Sequence, residues 1–594
     1  MAKSIPVSDS FDLGGIFTSK FQRRDGAKAN LKPIFGLDTE TWKGDIFLIA
    51  DSDGKFLDDI SAKSVIQFLF HKKFQSSWNF FYNLGYDAEV ILKLLGDELQ
   101  VYKRTNTLQF RYKDFKLTYI PDKVLRITKG HHSVVFFDNA QYFRVSLPIA
   151  YEINIKKLPG SYKQFKEKRS SFSPSFYAHN KKKVRNYCIT DCKLTQEIGR
   201  YWINQFHKAF GFYCSKWISS GYLAEKVLIN NSIEIPKFNS IPYKIQKLAW
   251  SVVDHGGRFE ITKRGFIGNV NLYDINSAYP YAITKIPDLN NGNWIKEKQI
   301  HQDAELGFFR IIADIPDEKH LGPFPFKKGY RIFFPTGKFE TIVTLQELLS
   351  CENPDFYKIL ESYQFIPNSD YYPYKEFIEN LYLKRLELKQ KNDHLQRPLK
   401  VILNSIYGKT GQKANGIGNL FNPVIFVSIT GMSRALLYRF ILKNNLENDT
   451  IALATDSILT TKKLDIDSNK IGEFSFEQQA DDCYILQNGY HFMNGNWKNR
   501  GIASMNGKTL KHLETYQKNG QLFLKLQELR NTRLRSGILF DKIQEIGNLK
   551  PTIRWIDPNT DKKRFWLGRI ERIDDKSHND SMPISLNYFD KNQV

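Results

Sequence analysis

The chain has 594 residues, too many for one hydrophobic core, so length alone calls for several domains. Lys and Arg number 86 against 63 Asp and Glu, a formal charge of +23 with an isoelectric point near 9.4, which favours a polyanionic partner. Five scattered cysteines make neither a disulfide framework nor a zinc pattern, no signal peptide opens the sequence, and no uninterrupted apolar run reaches spanning length. The expectation is an intracellular protein with no membrane partner, acting as a monomer.

Residues 1–32 contain the basic run Lys20-Phe-Gln-Arg-Arg24 and lack apolar periodicity, as expected of a basic arm. Ile34-Phe-Gly-Leu-Asp38-Thr-Glu40 reads as a buried strand ending in two acids. Trp78-Asn-Phe-Phe-Tyr-Asn83-Leu-Gly-Tyr86-Asp87 is another apolar strand ending in an acid, ahead of a helical run from Ala88 to Leu95. Val184 to Asp191 has helical spacing, which puts Tyr187 and Asp191 on one face. Four acids and one tyrosine suffice for a two-metal nuclease, the carboxylates holding the cations and the hydroxyl orienting the attacking water. Cys188 and Cys192, on the same segment, read as structural.

Ile203 to Trp250 is aromatic and helical, without assignable chemistry. In Asp254-His-Gly256-Gly257-Arg258 the paired glycines are either a turn or a place where the backbone approaches a phosphate. Asn269–Tyr273 reads as a strand that delivers Asp274 and the Ile275 carbonyl, with Pro280 expected to stop the ladder. Gly307 to Gln364 is strand-rich. Tyr374 to Gln390 is helical, with Lys384, Arg385 and Lys389 exposed by its period, and a second helix is expected to start at Pro398. On it Lys400, Asn404 and Tyr407 share a face: a compact cation for triphosphate charge, a polar group and a ring able to stack on a base pair. Val424 to Leu442 reads as a buried strand running into a helix. Ile451 to Thr460 reads as a hairpin with Asp456 at its tip. Asp274 and Asp456 on adjacent strand ends suit Mg²⁺, which takes one or two carboxylates plus substrate phosphates. From Lys508 onward the chain reads as helical, then strand-like around Arg554 and Arg564.

These motifs carry a resemblance. Asp38/Glu40, Asn83-x-x-Tyr86-Asp87 and Tyr187-x-x-x-Asp191 resemble the three motifs of DEDD-type 3′–5′ proofreading exonucleases. Asp274-x-x-Ser277-x-Tyr279-Pro280, Lys400-x-x-x-Asn404-Ser405-x-Tyr407-Gly408 and Thr455-Asp456-Ser457 resemble motifs A, B and C of family B DNA polymerases. Their order and spacing resemble the small protein-primed polymerases of phages, viruses and linear plasmids, from about Pro33 to about residue 510.

The resemblance implies an α+β, multidomain chain. A ribonuclease H-like α/β exonuclease domain over 33–200 would precede a right-hand polymerase. Its parts would be a linker and start of palm at 201–258, palm at 259–306 and 413–480, an insertion at 307–370, fingers at 371–412 and a thumb at 481–594. It implies two Mg²⁺ (or Mn²⁺) in each site, on Asp274, Ile275 and Asp456 in one and on Asp38, Glu40, Asp87 and Asp191 in the other, with Tyr187 aligning water. Ile275, Tyr279, Lys384, Lys400, Asn404 and Tyr407 would bind the incoming dNTP, Tyr279 also excluding ribonucleotides. Asn83, Tyr86, Gly256, Gly257, Tyr490, Lys498 and Arg500 would touch DNA. The implied partners are primer-template DNA, dNTPs, a terminal priming protein, and a helicase or single-strand-binding protein. The implied place is a host cytoplasm or an organelle.

Three departures matter. Ala454 stands where motif C has a second acid, Asp254 where the linker motif has Tyr, and Asn488 where the primer-grip motif has Lys. A DNA exonuclease with a weakened polymerase half, a polymerase extending an ordinary primer, and a structural DNA-binding protein are the alternatives.

Overall fold

A computed structural model of the chain describes residues 28–96, 109–233, 235–236, 240–412, 418–499, 501–502, 505–508 and 510–587. Most of the basic arm, and Arg500, lie outside the described residues; at the arm's end Lys28–Ala29 pairs with Tyr213–Cys214.

The fold is mixed α/β, built on several sheets. The first has eight strands, with Ile34–Trp42, Trp78–Phe81 and His132–Asp138 running parallel at its centre. Parallel strands covered on both faces read as continuous apolar runs, and all four residues of Trp78–Phe81 are buried. The long helix Pro174–Phe210 lies directly on Ile34–Trp42. Gly36 permits that contact: a Cβ there would sit 1.9 Å from the Cys192 carbonyl oxygen on the helix.

The second sheet has nine strands. Its central path runs Phe259–Ile261, Thr450–Ala454, Ser457–Thr460, Lys263–Ile275, Phe474–Gln487, Tyr490–Met493, Asn496–Lys498. Helices Ala278–Thr284 and Pro423–Lys443 pack together against it. A four-stranded antiparallel sheet spans Gly292–Glu297, Leu306–Ile315, Gly337–Thr344 and Tyr357–Pro367. The helices Lys375–Gln390 and Gln396–Thr410 pack on each other, and a three-stranded sheet, Glu514–Lys518, Gln521–Asn531 and Leu549–Ile556, follows late in the chain. The lobes share cores. One apolar cluster runs from Trp78 and Trp202 through Leu228 to Ile402 and Val424. Another buries Leu534, Ile538 and Ile546 among first-lobe residues such as Phe81 of the sheet and Ile91 of the helix Leu84–Lys93.

Several local expectations are corrected. Val424 to Leu442 contains no strand. Pro423 opens a single helix to Lys443, and the Asn422 side chain caps it by accepting from the N–H groups of Val424 and Ile425. Burial on nearly every side lets a β-branched run sit in a helix. Pro280 does not stop a ladder. The strand ends at Ile275, the chain turns through Ser277 at φ 53°, and Pro280 falls in the first turn of Ala278–Thr284. The second-motif helix begins at Leu84 rather than Ala88, behind Asn83 at φ 69°. The other begins at Gln396, with Pro398 in its first turn. Beyond Lys508 the chain is mainly strand, because Leu522, Leu524 and Leu526 alternate inward on a half-buried sheet.

Two candidate active sites

In the first lobe, strand Ile34–Trp42 carries Asp38 and Glu40, the first turn of Leu84–Lys93 carries Asp87, and the long helix carries Tyr187 and Asp191. Asp38 is pushed well up, first by burial and then by Asp191, Asp87 and Glu40, so the four carboxylates face one another. Burial also lifts Asp87 to about 7, against the pull of the Thr39 hydroxyl, which donates to Asp87 Oδ1 at 2.6 Å. Asp191 accepts from the Tyr162 hydroxyl and pairs with Lys166 at 3.0 Å. The Tyr187 hydroxyl is buried among Asp191, Glu40, Tyr162 and Asp38 and has no well-formed hydrogen bond among the described residues. Lys166 stands 5.6 Å from the centre of the Tyr187 ring. A cluster of acids that resist ionisation together, with one ammonium and a buried hydroxyl that lacks a well-formed hydrogen bond, suits divalent cations and a bound water. Tyr86 shares a 2.6 Å hydrogen bond with Thr41, and the Asn83 backbone N–H donates to Asp138 Oδ1 at 2.9 Å.

In the central sheet, strand Lys263–Ile275 and hairpin strand Ser457–Thr460 pair antiparallel, with Asp274 opposite Ser457. The Ile275 N–H donates to the Asp456 carbonyl at 2.8 Å, which sets Asp274 and Asp456 side by side at the strand ends. Burial, then Asp456 and Glu477, push Asp274 up to about 7, and Lys498 pulls it down. Burial raises Asp456 as well, and Lys498 again opposes the rise. The hairpin turn is held from three sides. Thr455, at φ 68°, donates its N–H to the Arg258 carbonyl at 2.7 Å and accepts from Ser433 at 3.0 Å. A Cβ on Gly257 would lie 2.8 Å from Thr455 Cγ2. Gly256, at φ 57°, offers its carbonyl to Arg434, whose Nε also meets Glu347 at 2.7 Å in a buried ion pair. The paired glycines therefore pack against the hairpin turn that carries Asp456, and Asp254 beside them pairs with Lys327 at 2.6 Å.

Lys400 and Asn404 are exposed on one face of Gln396–Thr410, and Tyr407 is half-buried on it. Tyr407 stacks between Tyr279, centroids 4.2 Å apart, and Phe426, 4.7 Å apart. Burial lowers the Lys400 ammonium, helped by Arg385, Lys389, Arg144 and Arg397. Arg385 is half-buried rather than exposed, close to Tyr382, and its Nε has no hydrogen-bond partner among the described residues. Lys384 stands exposed on the same helix. Tyr490 lines a hollow of about 490 Å³ with Arg554 and Trp555, and Asn488 is engaged by donating to the Phe259 carbonyl at 3.0 Å. Lys498, opposite His491 on the neighbouring strand, is the cation that acts on both Asp274 and Asp456.

Sequence reasoning passed over Gly36, Tyr162, Lys166, Arg434 and Glu477. Of these, only Gly36, a glycine inside a strand pattern, carried a readable signal of close backbone approach.

The chain is 23% identical over 551 residues to a DNA polymerase of Acidianus bottle-shaped virus (isolate Italy/Pozzuoli), covering 83% of this chain and 79% of that one. It is 24% identical over 352 residues to a probable DNA polymerase of Neurospora intermedia, a match covering 53% of this chain and 34% of the fungal one. Its fold is similar to Phi29 DNA polymerase complexed with primer-template DNA and incoming nucleotide substrates: TM-score 0.58, 13% identity, 89% of this chain and 100% of that one. The family of DNA polymerases type B, organellar and viral, matches residues 126–499, more than half of the sequence, and the chain belongs to that family.

Proposed function

We propose that this family B polymerase extends a primer 3′-hydroxyl with dNTPs in the central sheet and removes mispaired 3′ ends in the first lobe. The observation that carries synthesis is the Ile275–Asp456 backbone bond, which sets two carboxylates side by side, both lifted by burial. The first-lobe acids make the equivalent case for degradation. Mg²⁺, two ions per site and replaceable by Mn²⁺, would supply the charge that stabilises an in-line displacement at phosphorus. Asp274, Asp456 and the Ile275 carbonyl would hold the pair in the synthetic site, and Asp38, Glu40, Asp87 and Asp191 the pair in the other.

This chain's residues do the positioning. Lys400, with Arg385, Lys389 and Arg397, receives the triphosphate, as a crowded group of cations favours a polyanion. Asn404 shares that face. Tyr279, fixed by its stack on Tyr407, lies under the sugar and rejects a 2′-hydroxyl. Tyr490 and Lys498 hold the primer end. Tyr187 orients the attacking water of the nuclease, and Asn83 and Tyr86 guide the frayed strand. Ala454 leaves motif C one acid short, but Glu477 faces Asp274, so the site retains three carboxylates. That favours an active polymerase over a weakened one. We further read the primer as a protein hydroxyl, on the resemblance to protein-primed enzymes and the strand-rich insertion between motifs A and B.

A double dissociation tests the two sites. Asp456→Ala should abolish primer extension and keep 3′–5′ digestion of single-stranded DNA; Asp38→Ala with Glu40→Ala should do the reverse. Undiminished extension by Asp456→Ala removes the metal-site assignment. Joint loss of both activities in a folded double variant removes the separation of sites. Covalent transfer of a labelled dNTP to a protein encoded beside this gene tests the primer.

A further inference from the structure

We infer that Cys188 adds a thiol donor to the first-lobe acid cluster, making it a binding site for a thiophilic divalent cation of the zinc class. The inference rests on the proposed reading of Asp38 and Glu40 as cation ligands.

The geometry is that of a three-donor site. One donor atom each from Asp38, Glu40 and Cys188 lie within 4.8 Å of one another. A tetrahedral cation with bonds of about 2.0–2.2 Å to oxygen and about 2.3 Å to sulfur holds its donors about 3.4–3.7 Å apart, so the three side chains close by up to about 1 Å to share one ion. Cys188 is fully buried, and its Sγ lies 3.7 Å from the Asp38 carbonyl oxygen. It reaches the acids because Gly36 lets the long helix lie directly on the Asp38 strand.

A second observation points to a ligand at the same place. The Tyr187 hydroxyl, one residue before Cys188, is 5% exposed, lies among Glu40, Asp38 and Asp191, and lacks a well-formed hydrogen bond among the described residues. A water on a bound cation would satisfy it.

Donor chemistry then sets the metal class. Carboxylates alone select hard ions such as Mg²⁺ and Mn²⁺, whereas one sulfur shifts preference towards Zn²⁺ and Cd²⁺. When the sulfur binds, the S–H proton passes to solvent and the metal–sulfur bond replaces it, with no change of oxidation state. A zinc-class ion held in this way draws Asp38 and Glu40 into a tetrahedral set. It then competes with the Mg²⁺ pair that degradation needs.

The experiment is a Cd²⁺ titration of the full chain. The expected result is a sulfur-to-cadmium charge-transfer band for a single thiolate, lost in Cys188→Ala and kept in Cys351→Ala, the half-exposed cysteine. On the unaltered protein, ¹¹³Cd resonance should fall far downfield of all-oxygen sites. An equal band in Cys188→Ala, or a ¹¹³Cd signal at the all-oxygen position, would overturn the inference. Mn²⁺ binding, counted by electron paramagnetic resonance in the parent and in Asp38→Asn with Glu40→Gln, separates the two failures. Mn²⁺ bound through these acids without a cadmium–sulfur band sinks the thiol alone. Mn²⁺ binding indifferent to these acids sinks the exonuclease reading as well.

Discussion

Asp274→Asn should make the metal-free protein more stable while it abolishes primer extension. Asp274 is half-buried and is lifted to about 7, by burial first and then by Asp456 and Glu477. An aspartate in an unfolded chain titrates near ~3.9, so the shift is about three pH units, and at about 1.36 kcal/mol each the upper bound is about 4 kcal/mol. Solvent reaching the carboxylate screens part of this, which leaves about 1–2 kcal/mol as the working figure. The folded state keeps a proton that the unfolded chain has lost, so stability falls as pH rises from about 4 to about 7 and the whole penalty is present above that window. Asparagine carries no charge and escapes it. In EDTA at pH 8 the variant should therefore melt about 1–3 °C above the parent, and the gap should close towards pH 5. Millimolar Mg²⁺ should raise the parent's melting point more than the variant's, because the first-lobe acids are intact in both and only the parent keeps the second carboxylate pair, and a cation that binds only the native state stabilises by mass action. Scanning calorimetry at several pH values, with and without Mg²⁺, reads both effects. A variant no more stable than the parent in EDTA at pH 8, or one that Mg²⁺ stabilises equally, would refute the reasoning.

Ala454→Asp, at a half-buried position between Phe259 and Ser457, should fold and keep or raise extension activity; loss of the fold by circular dichroism would contradict that placement. Gly257→Ala puts a methyl 2.8 Å from Thr455 Cγ2, an overpacking of about 1–3 kcal/mol, and should lower kcat for extension with unchanged DNA affinity. Weakened DNA binding at unchanged kcat would make the glycine a phosphate contact instead. Synthesis should pause at a downstream duplex unless a helicase or single-strand-binding protein assists. Between motifs B and C the helix Pro423–Lys443 takes 21 residues, the strand Thr450–Ala454 follows it, and the residues before it close on themselves through Gly418 N to Gln412 O at 3.1 Å and Asn422 N to Thr410 O at 2.8 Å. Residues 413–417 lie outside the described ones, and rapid unaided synthesis through kilobases of duplex on a primed circle would refute this expectation.

Acids at strand ends were legible because a strand announces itself by an apolar run and the residue after it must leave the sheet. Asp274, with the Ile275 carbonyl after it, and Asp456 on the hairpin turn follow that rule. In the first lobe Asp38 and Glu40 lie within a strand that continues to Trp42, and Asp87 in a helix's first turn. The helix Pro423–Lys443 was half legible. An apolar stretch rich in Val and Ile suits either a buried strand or a buried helix, and only the Asn422–Pro423 cap decides between them. The strands around Arg554 and Arg564 were read as such, whereas Gln521–Asn531 was legible and missed, since Leu522, Leu524 and Leu526 alternate plainly.

Glu477 was not legible at all, for a physical reason. On strand Phe474–Gln487, Gln478 pairs with Leu272 but Phe476 pairs with Tyr273, so Glu477 is the extra residue of a β-bulge. Strict alternation would assign its side chain from its neighbours, and the bulge breaks that count in the turn of strand beside Asp274. A bulge is a property of two paired strands, and neither strand's sequence contains it. The same holds for Gly36 and Cys192, and for Gly257 and Thr455: each close approach joins segments far apart in the chain. Residues that hold charge declare themselves by type and local pattern. Those that set the distances between them do so through contacts across elements. Lys498 belongs to both classes, a cation whose neighbours Asp274 and Asp456 come from other strands of the same sheet and its hairpin turn. If Asn488 has passed the primer-grip charge to Lys498, Lys498→Ala should weaken primer-end binding more than Asn488→Ala does, and the reverse order would place the charge elsewhere.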